Sequence, residues 1–161
     1  MTGLDRVVVG YAPGVYDMFH VGHLNILRRA KSECDFLIVG VVSDDRVLEV
    51  KGQAPMIPLE ERMQLVEALD LVDKVVVDDS TDKVQMWERL HFDVIFKGDD
   101  WRGTSKGETL ERGMAGVGAR VSYFPYTTHV SSTRLRALVE QANAEGQDPF
   151  DAREQQSASG E

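Results

Sequence analysis

Two histidines three residues apart, His20 and His23, end the run Gly14-Val15-Tyr16-Asp17-Met18-Phe19-His20-Val21-Gly22-His23. A short apolar run, Val7-Val8-Val9, precedes this stretch, and an amphipathic segment follows it through Leu24 to Lys31. That is the pattern of a strand, a turn and a helix N-terminus, where orphan backbone N–H groups and the helix dipole favour an anion. Imidazoles placed there make a phosphate site with mobile protons, and Gly14 and Gly22 let the backbone come close to such a ligand. The stretch reads as a catalytic centre.

Paired histidines have another use, in metal binding. A zinc site needs three or four ligands. His91 and His129 are distant in sequence, and the single cysteine, Cys34, falls inside an apolar core pattern. No protein-held metal is therefore expected.

Three further segments carry chemistry-bearing residues. Gly98-Asp99-Asp100-Trp101 follows an apolar run and reads either as an acidic turn or as a base or Mg²⁺ pocket shaped by Trp101. Ser131-Ser132-Thr133-Arg134 reads as a helix cap whose hydroxyls, N–H groups and arginine could grip distal phosphates. Lys51-Gly52 is either an exposed loop or a mobile lysine that closes over a triphosphate.

The elements that must position these groups alternate. Arg6 to Tyr11, Phe36 to Val42, Lys74 to Val77, Val94 to Lys97 and Arg120 to Phe124 are apolar, β-branched runs expected as buried strands. Between them, helices are expected over Gly22–Lys31, from Pro58 towards Asp73, over Lys83–Leu90, from Glu108 to about Ala115, and after the cap at Ser131. A polar loop is expected from Ser43 through Gln53. Strands alternating with helices predict a Rossmann-like, doubly wound, parallel five-stranded α/β sheet with helices on both faces. Ligands of such sheets lie beyond the strand C-termini at the switch point. All three polar segments at strand ends, from Tyr11 to His23, Gly98 to Gly103 and Pro125 to Thr133, fall there.

One domain is expected over residues 1–140, with a flexible polar tail over 141–161 that is rich in Gly, Ser and Gln. A net charge of −9 argues against a general nucleic-acid binder. No apolar run approaches a membrane span and no secretory h-region opens the chain, so a cytoplasmic protein is expected. The lone cysteine agrees with a reducing compartment.

Gly14-Val15-Tyr16-Asp17 with His20-Val21-Gly22-His23 resembles the GxFD…HxGH signature of the nucleotidylyltransferase superfamily. Gly98-Asp99-Asp100-Trp101 is similar to the GDDW element of glycerol-3-phosphate cytidylyltransferases, and Tyr126 to Thr133 falls where those enzymes carry RTEGISTT. The likeness runs from about Val7 to Leu138. It implies a cytidylyltransferase joining CTP, with Mg²⁺, to a small phosphorylated alcohol, and a homodimer. Carried over by position, His20, His23 and Lys51 would be catalytic. Gly14, Val15, Tyr16, Asp17, Gly22, Gly98, Asp100, Trp101, Thr127, Ser131, Ser132, Thr133 and Arg134 would bind nucleotide, and Arg62 and Lys83 the acceptor. Tyr126, Thr128 and His129 depart from the signature, and Asp70 stands where an arginine is usual, so the acceptor is the least determined element.

A phosphate monoester is largely dianionic at neutral pH, its second pKa being about 6, and needs no general base. The histidines' expected role is therefore charge stabilisation during in-line transfer rather than proton abstraction. An adenylyltransferase making a cofactor or an ADP-sugar, and a non-catalytic nucleotide-binding regulator, are the competing readings.

Overall fold

The computed structural model describes residues 5–125 and 131–146. Five parallel strands, β1 (Val9–Gly14), β2 (Phe36–Val42), β3 (Lys74–Asp78), β4 (Val94–Gly98) and β5 (Arg120–Phe124), form one sheet in the order β3-β2-β1-β4-β5. The six α-helices among the described residues are α1 (Val21–Ser32), α2 (Asp44–Lys51), α3 (Leu59–Glu67), α4 (Lys83–Leu90), α5 (Ser105–Val117) and α6 (Ser132–Ala144), and a short 3-10 turn spans Asp99–Trp101. The expected doubly wound α/β fold is the observed one.

Strand alternation builds two cores. Leu37, Val39, Val41 and Phe96 face Leu27 and Ala30 of α1 and Val66 of α3. Their neighbours Ile38 and Ile95, with Tyr11, face Met86 of α4 and Leu110 and Met114 of α5. Side chains of successive strand residues point to opposite faces, so a strand covered on both sides must be apolar throughout.

The connection out of β1 runs to one side through α1 to β2, whereas β4, reached later, adds on β1's other edge. The switch point therefore lies between β1 and β4. Pairing of β1 with β2 runs to Gly14↔Val41, but pairing with β4 ends at Tyr11↔Ile95. The sheet is parted at its C-terminal edge there, which opens a cleft.

Several elements depart from their sequence-based limits. β1 runs through Pro13 to Gly14 instead of ending at Tyr11, and Pro13, with no N–H to give, sits where β1 is paired on one side only. The expected polar loop after β2 contains α2. Ser43 Oγ accepts the Arg46 N–H at 3.3 Å, acids occupy the first turn, and Gly52 closes the helix at φ 71°. Helix α3 stops at Glu67; Leu69, Leu71 and Val72 pack on the core outside it while the chain turns into β3. Helix α5 begins three residues early, capped by Thr104 Oγ1, and Gly107 belongs inside it because a Cβ would lie 2.0 Å from the Trp101 carbonyl oxygen. Helix α6 continues to Ala144, past the expected edge at residue 140; residues 147–161 of the expected tail lie outside the described residues.

Candidate active site

The turn from β1 into α1 is built by its own side chains. His20 caps the helix: its Nδ1 accepts the Gly22 N–H at 3.0 Å, and His23 Nδ1 accepts the His20 N–H at 3.2 Å. This is the reciprocal capping-box arrangement, with imidazoles in the places usually taken by Ser and Glu. An Nδ1 that accepts puts the ring proton on Nε2. Both histidines thus keep one N–H to donate away from the helix.

The approach to the cap is strained. Tyr16 and Met18 take left-handed conformations at φ 55° and 47°, costing of order 1–3 kcal/mol each. Tyr16 is held by a 3.0 Å bond from its hydroxyl to the Ala12 carbonyl, and its ring fits because Gly14 has no Cβ. The same ring tilts against His23, with centroids 5.4 Å apart.

Asp17 ties the turn to its surroundings. Its carboxylate accepts the Met56 and Ile57 N–H groups at 2.9 Å each and pairs with Arg136 at 3.3 Å. Its carbonyl accepts from Ser132 Oγ, which brings the start of α6 against the β1–α1 turn. Ser131 Oγ caps α6 by accepting the Arg134 N–H at 3.0 Å.

A cleft of about 660 Å³ opens over the switch point. Of the residues singled out from sequence, Gly14, Val15, Tyr16, Asp17, His20, Gly22, His23, Lys51, Lys83, Gly98, Asp100, Trp101, Ser131, Ser132 and Thr133 all line it. Lys51 does so from the last residue of α2, not from a loop. Thr127 lies outside the described residues, as do Tyr126, Thr128 and His129.

Two expected site residues require correction. Arg62 is buried, 1% exposed, and does not line the cleft. Its guanidinium donates to the carbonyls of Ile57, Val15 and Val42 at 2.8, 2.6 and 2.9 Å and pairs with Asp44. It fastens the β1–α1 turn from behind rather than meeting an acceptor. Arg134 is exposed and does not line the cleft; Arg136, two residues on along α6, does.

Sequence reasoning missed four cleft cations: Arg46, Lys97, Lys106 and Arg136. Lys97 was legible in principle, as the one charged residue in an otherwise buried strand. Its ammonium lies 3.9 Å from the Trp101 ring centroid.

Charge in the cleft is tuned by burial. His23 is lowered to about 4, first by burial and then by the neighbouring His20 and Lys51, with Asp17 opposing. Burial lowers His20 as well. Both rings are neutral at pH 7, so they act as N–H donors. Lys97 is lowered to about 8 by burial and by Lys83. Burial pushes the Asp78 carboxyl upward, but the Lys83 ammonium and hydrogen bonds from Lys83, Ser80 and Tyr11 outweigh it and hold the group ionised. Among the described residues, no three His, Cys, Asp or Glu side chains gather as a metal site would require.

A parallel sheet of this order, with cation-lined walls and histidine donors at its switch point, defines a nucleotidyltransferase-type domain. The chain belongs to the cytidylyltransferase-like family, whose model matches residues 11–138. It is 33% identical over 141 residues to the bifunctional protein HldE of Geobacter sulfurreducens, covering 87% of this chain and 28% of that protein. It is 40% identical over 130 residues to the ethanolamine-phosphate cytidylyltransferase of Arabidopsis thaliana, covering 78% and 30%. The chain thus spans under a third of either relative's length. The fold is shared with the lipopolysaccharide core biosynthesis protein of Thermoplasma volcanium, at TM-score 0.65 and 24% identity over 78% of this chain and 100% of that one. It is shared also with the pantoate-beta-alanine ligase of Francisella tularensis, at TM-score 0.58 and 13% identity over 92% and 75%.

Proposed function

We propose that this protein transfers CMP from CTP to a small phosphorylated alcohol, glycerol 3-phosphate or a relative of it, and releases pyrophosphate. The observation that carries this reading is the pair of neutral histidines whose Nε2–H groups remain available at the N-terminus of α1, in a cleft walled by Lys51, Arg46 and Arg136. That is a donor set for a phosphoryl group in transfer, not for proton abstraction.

An oxygen of the acceptor phosphate attacks the α-phosphorus in line, the bond from that phosphorus to the β-bridging oxygen breaks, and pyrophosphate departs with the electron pair. His20 and His23 donate to the oxygens that gain charge. Lys51 and Arg136 neutralise the leaving diphosphate, and the N-terminal N–H groups of α6 with Ser131, Ser132 and Thr133 add donors there. Mg²⁺ would arrive with the nucleotide as part of the substrate and would offset phosphate charge; among the described residues no three His, Cys, Asp or Glu side chains gather to hold it. The resemblance further supports a homodimer.

The test is a matrix of CTP and ATP against phosphorylated polyols, amino alcohols and sugars, read by pyrophosphate release. Turnover with CTP and a phosphorylated alcohol is expected. Turnover confined to ATP moves the protein to an adenylyltransferase role, and nucleotide binding with no release under any pairing removes the enzyme reading.

A further inference from the structure

The cleft has a second cationic wall that the transfer chemistry leaves unused. Lys97 follows Ile95 by two residues along β4 and so shares its face of the sheet, the one covered by α4 and α5. Lys83 opens α4 and Lys106 is the second residue of α5, and all three lysines line the cleft. The histidines lie across the sheet edge, on the α1 side. One wall thus meets the nucleotide phosphates, and the other is left to the acceptor.

The carboxylates on the acceptor side are unevenly available. Asp78 is 1% exposed and saturated: it accepts from Tyr11 Oη and Ser80 Oγ at 2.6 Å each, from the Ser80 N–H at 3.1 Å, and from Lys83 at 2.6 Å. Lys83 is therefore already paired. Among the described residues no carboxylate lies within ion-pair distance of Lys97; its ammonium rests on the Trp101 ring, with the Lys106 ammonium 5.9 Å from the same ring centroid. Asp100 also lines this end, and its charge favours the protonated form of Lys97. The aromatic face that would receive a cationic amine is thus occupied by a cation of the protein's own.

We infer that Lys97 is a specificity-determining residue that admits acceptors whose organic end is uncharged or anionic, the polyol and sugar phosphates, and rejects amino-alcohol phosphates, whose ammonium would meet like charges. The inference rests on the transfer reading above and deepens it. It separates this chain's acceptor from the one in the name of its Arabidopsis relative. Rejection by juxtaposed like charge is a common device of selective sites. Burial and Lys83 together already disfavour the charged form of Lys97, a cost that an anion at this wall relieves and an ammonium deepens.

Two readouts test it on the full chain. Binding of glycerol 3-phosphate and phosphoethanolamine is measured calorimetrically with a non-transferable CTP analogue present, and transfer is followed by pyrophosphate release. Wild type should favour glycerol 3-phosphate by at least about tenfold in both. Lys97→Met, which keeps the stem over Trp101, should bring that ratio close to one, and Lys97→Arg should restore it. Should Lys97→Met melt early, Lys97→Gln serves the same comparison. Equal or tighter binding of phosphoethanolamine by wild type overturns the inference, as does a ratio unchanged in the neutral variant. If the binding preference follows Lys97 while no pairing releases pyrophosphate, the transfer reading falls and this one stands.

Discussion

His20 and His23 stack ring on ring, their centroids 3.9 Å apart, and each commits Nδ1 to a backbone N–H at the start of α1. Two neutral rings held this way have their remaining N–H groups fixed by the helix cap itself. The fold element that creates the anion site therefore also orients its side-chain donors. No reorganisation is needed as charge develops, which is the condition under which such donors contribute most.

Asn at position 23 keeps an acceptor where Nδ1 stood but lacks the Nε2–H group. His23→Asn should therefore stay folded, with a melting temperature near wild type, while kcat falls about 10²–10³-fold. His23→Ala should lose the same activity and also about 1 kcal/mol of stability with the cap. Near-normal turnover in His23→Asn removes the histidine from the chemistry.

The pH dependence has a definite sign. Folded His23 titrates at about 4, against an ordinary 6.5. Between those values the unfolded chain binds a proton that the folded one refuses, so stability rises with pH through the window and is lost as pH falls from 6.5 towards 4. Burial of His20 adds in the same direction. In urea titrations, the midpoint of wild type should decline relative to that of His23→Asn as pH is lowered from 7 to about 4.5. A difference that does not change with pH contradicts the burial of the neutral ring.

How much of this was readable beforehand depended on whether a residue's environment follows from local pattern. Leu24, Leu27 and Ala30 repeat at helical spacing directly after Gly22, so α1 and its histidines were legible together. Helix α2 was hidden because Val47 is its one buried residue, leaving only its caps as a signal. Arg62 was misread because an arginine in an amphipathic helix looks the same whether it meets a ligand or three backbone carbonyls. Telling Arg136 from Arg134 requires the phase of α6 against the β1–α1 turn, which the contact between Ser132 and Asp17 sets across the chain.

Arg62 should behave as a structural residue. Removing its guanidinium strands Asp44 and the carbonyls of Val15, Val42 and Ile57. Arg62→Ala should cost about 3–5 kcal/mol. Arg62→Lys, which keeps the charge but cannot fork to these partners, should also lower the melting temperature. In the folded fraction of Arg62→Lys, the KM for acceptor should stay within about twofold of wild type. A raised KM with unchanged melting temperature would return Arg62 to the acceptor site.

Behind Lys83 lies a contact made possible by a missing side chain. The Tyr11 hydroxyl reaches Asp78 across Gly40, where a Cβ would lie 2.1 Å from that oxygen. The Tyr11 ring cannot simply retreat, since it stacks on Phe92 at 4.9 Å and is fully buried. Gly40→Ala should therefore destabilise by about 1–3 kcal/mol through overpacking. Tyr11→Leu removes the obstructing ring and hydroxyl at its own cost in packing and in a bond to Asp78. In that background Gly40→Ala should cost far less, giving a coupling of more than about 1 kcal/mol in a double-mutant cycle of denaturant unfolding. Simple additivity of the two losses would show that Tyr11 does not fill the space Gly40 leaves, and with it would go the argument that Asp78 is held in place from the core.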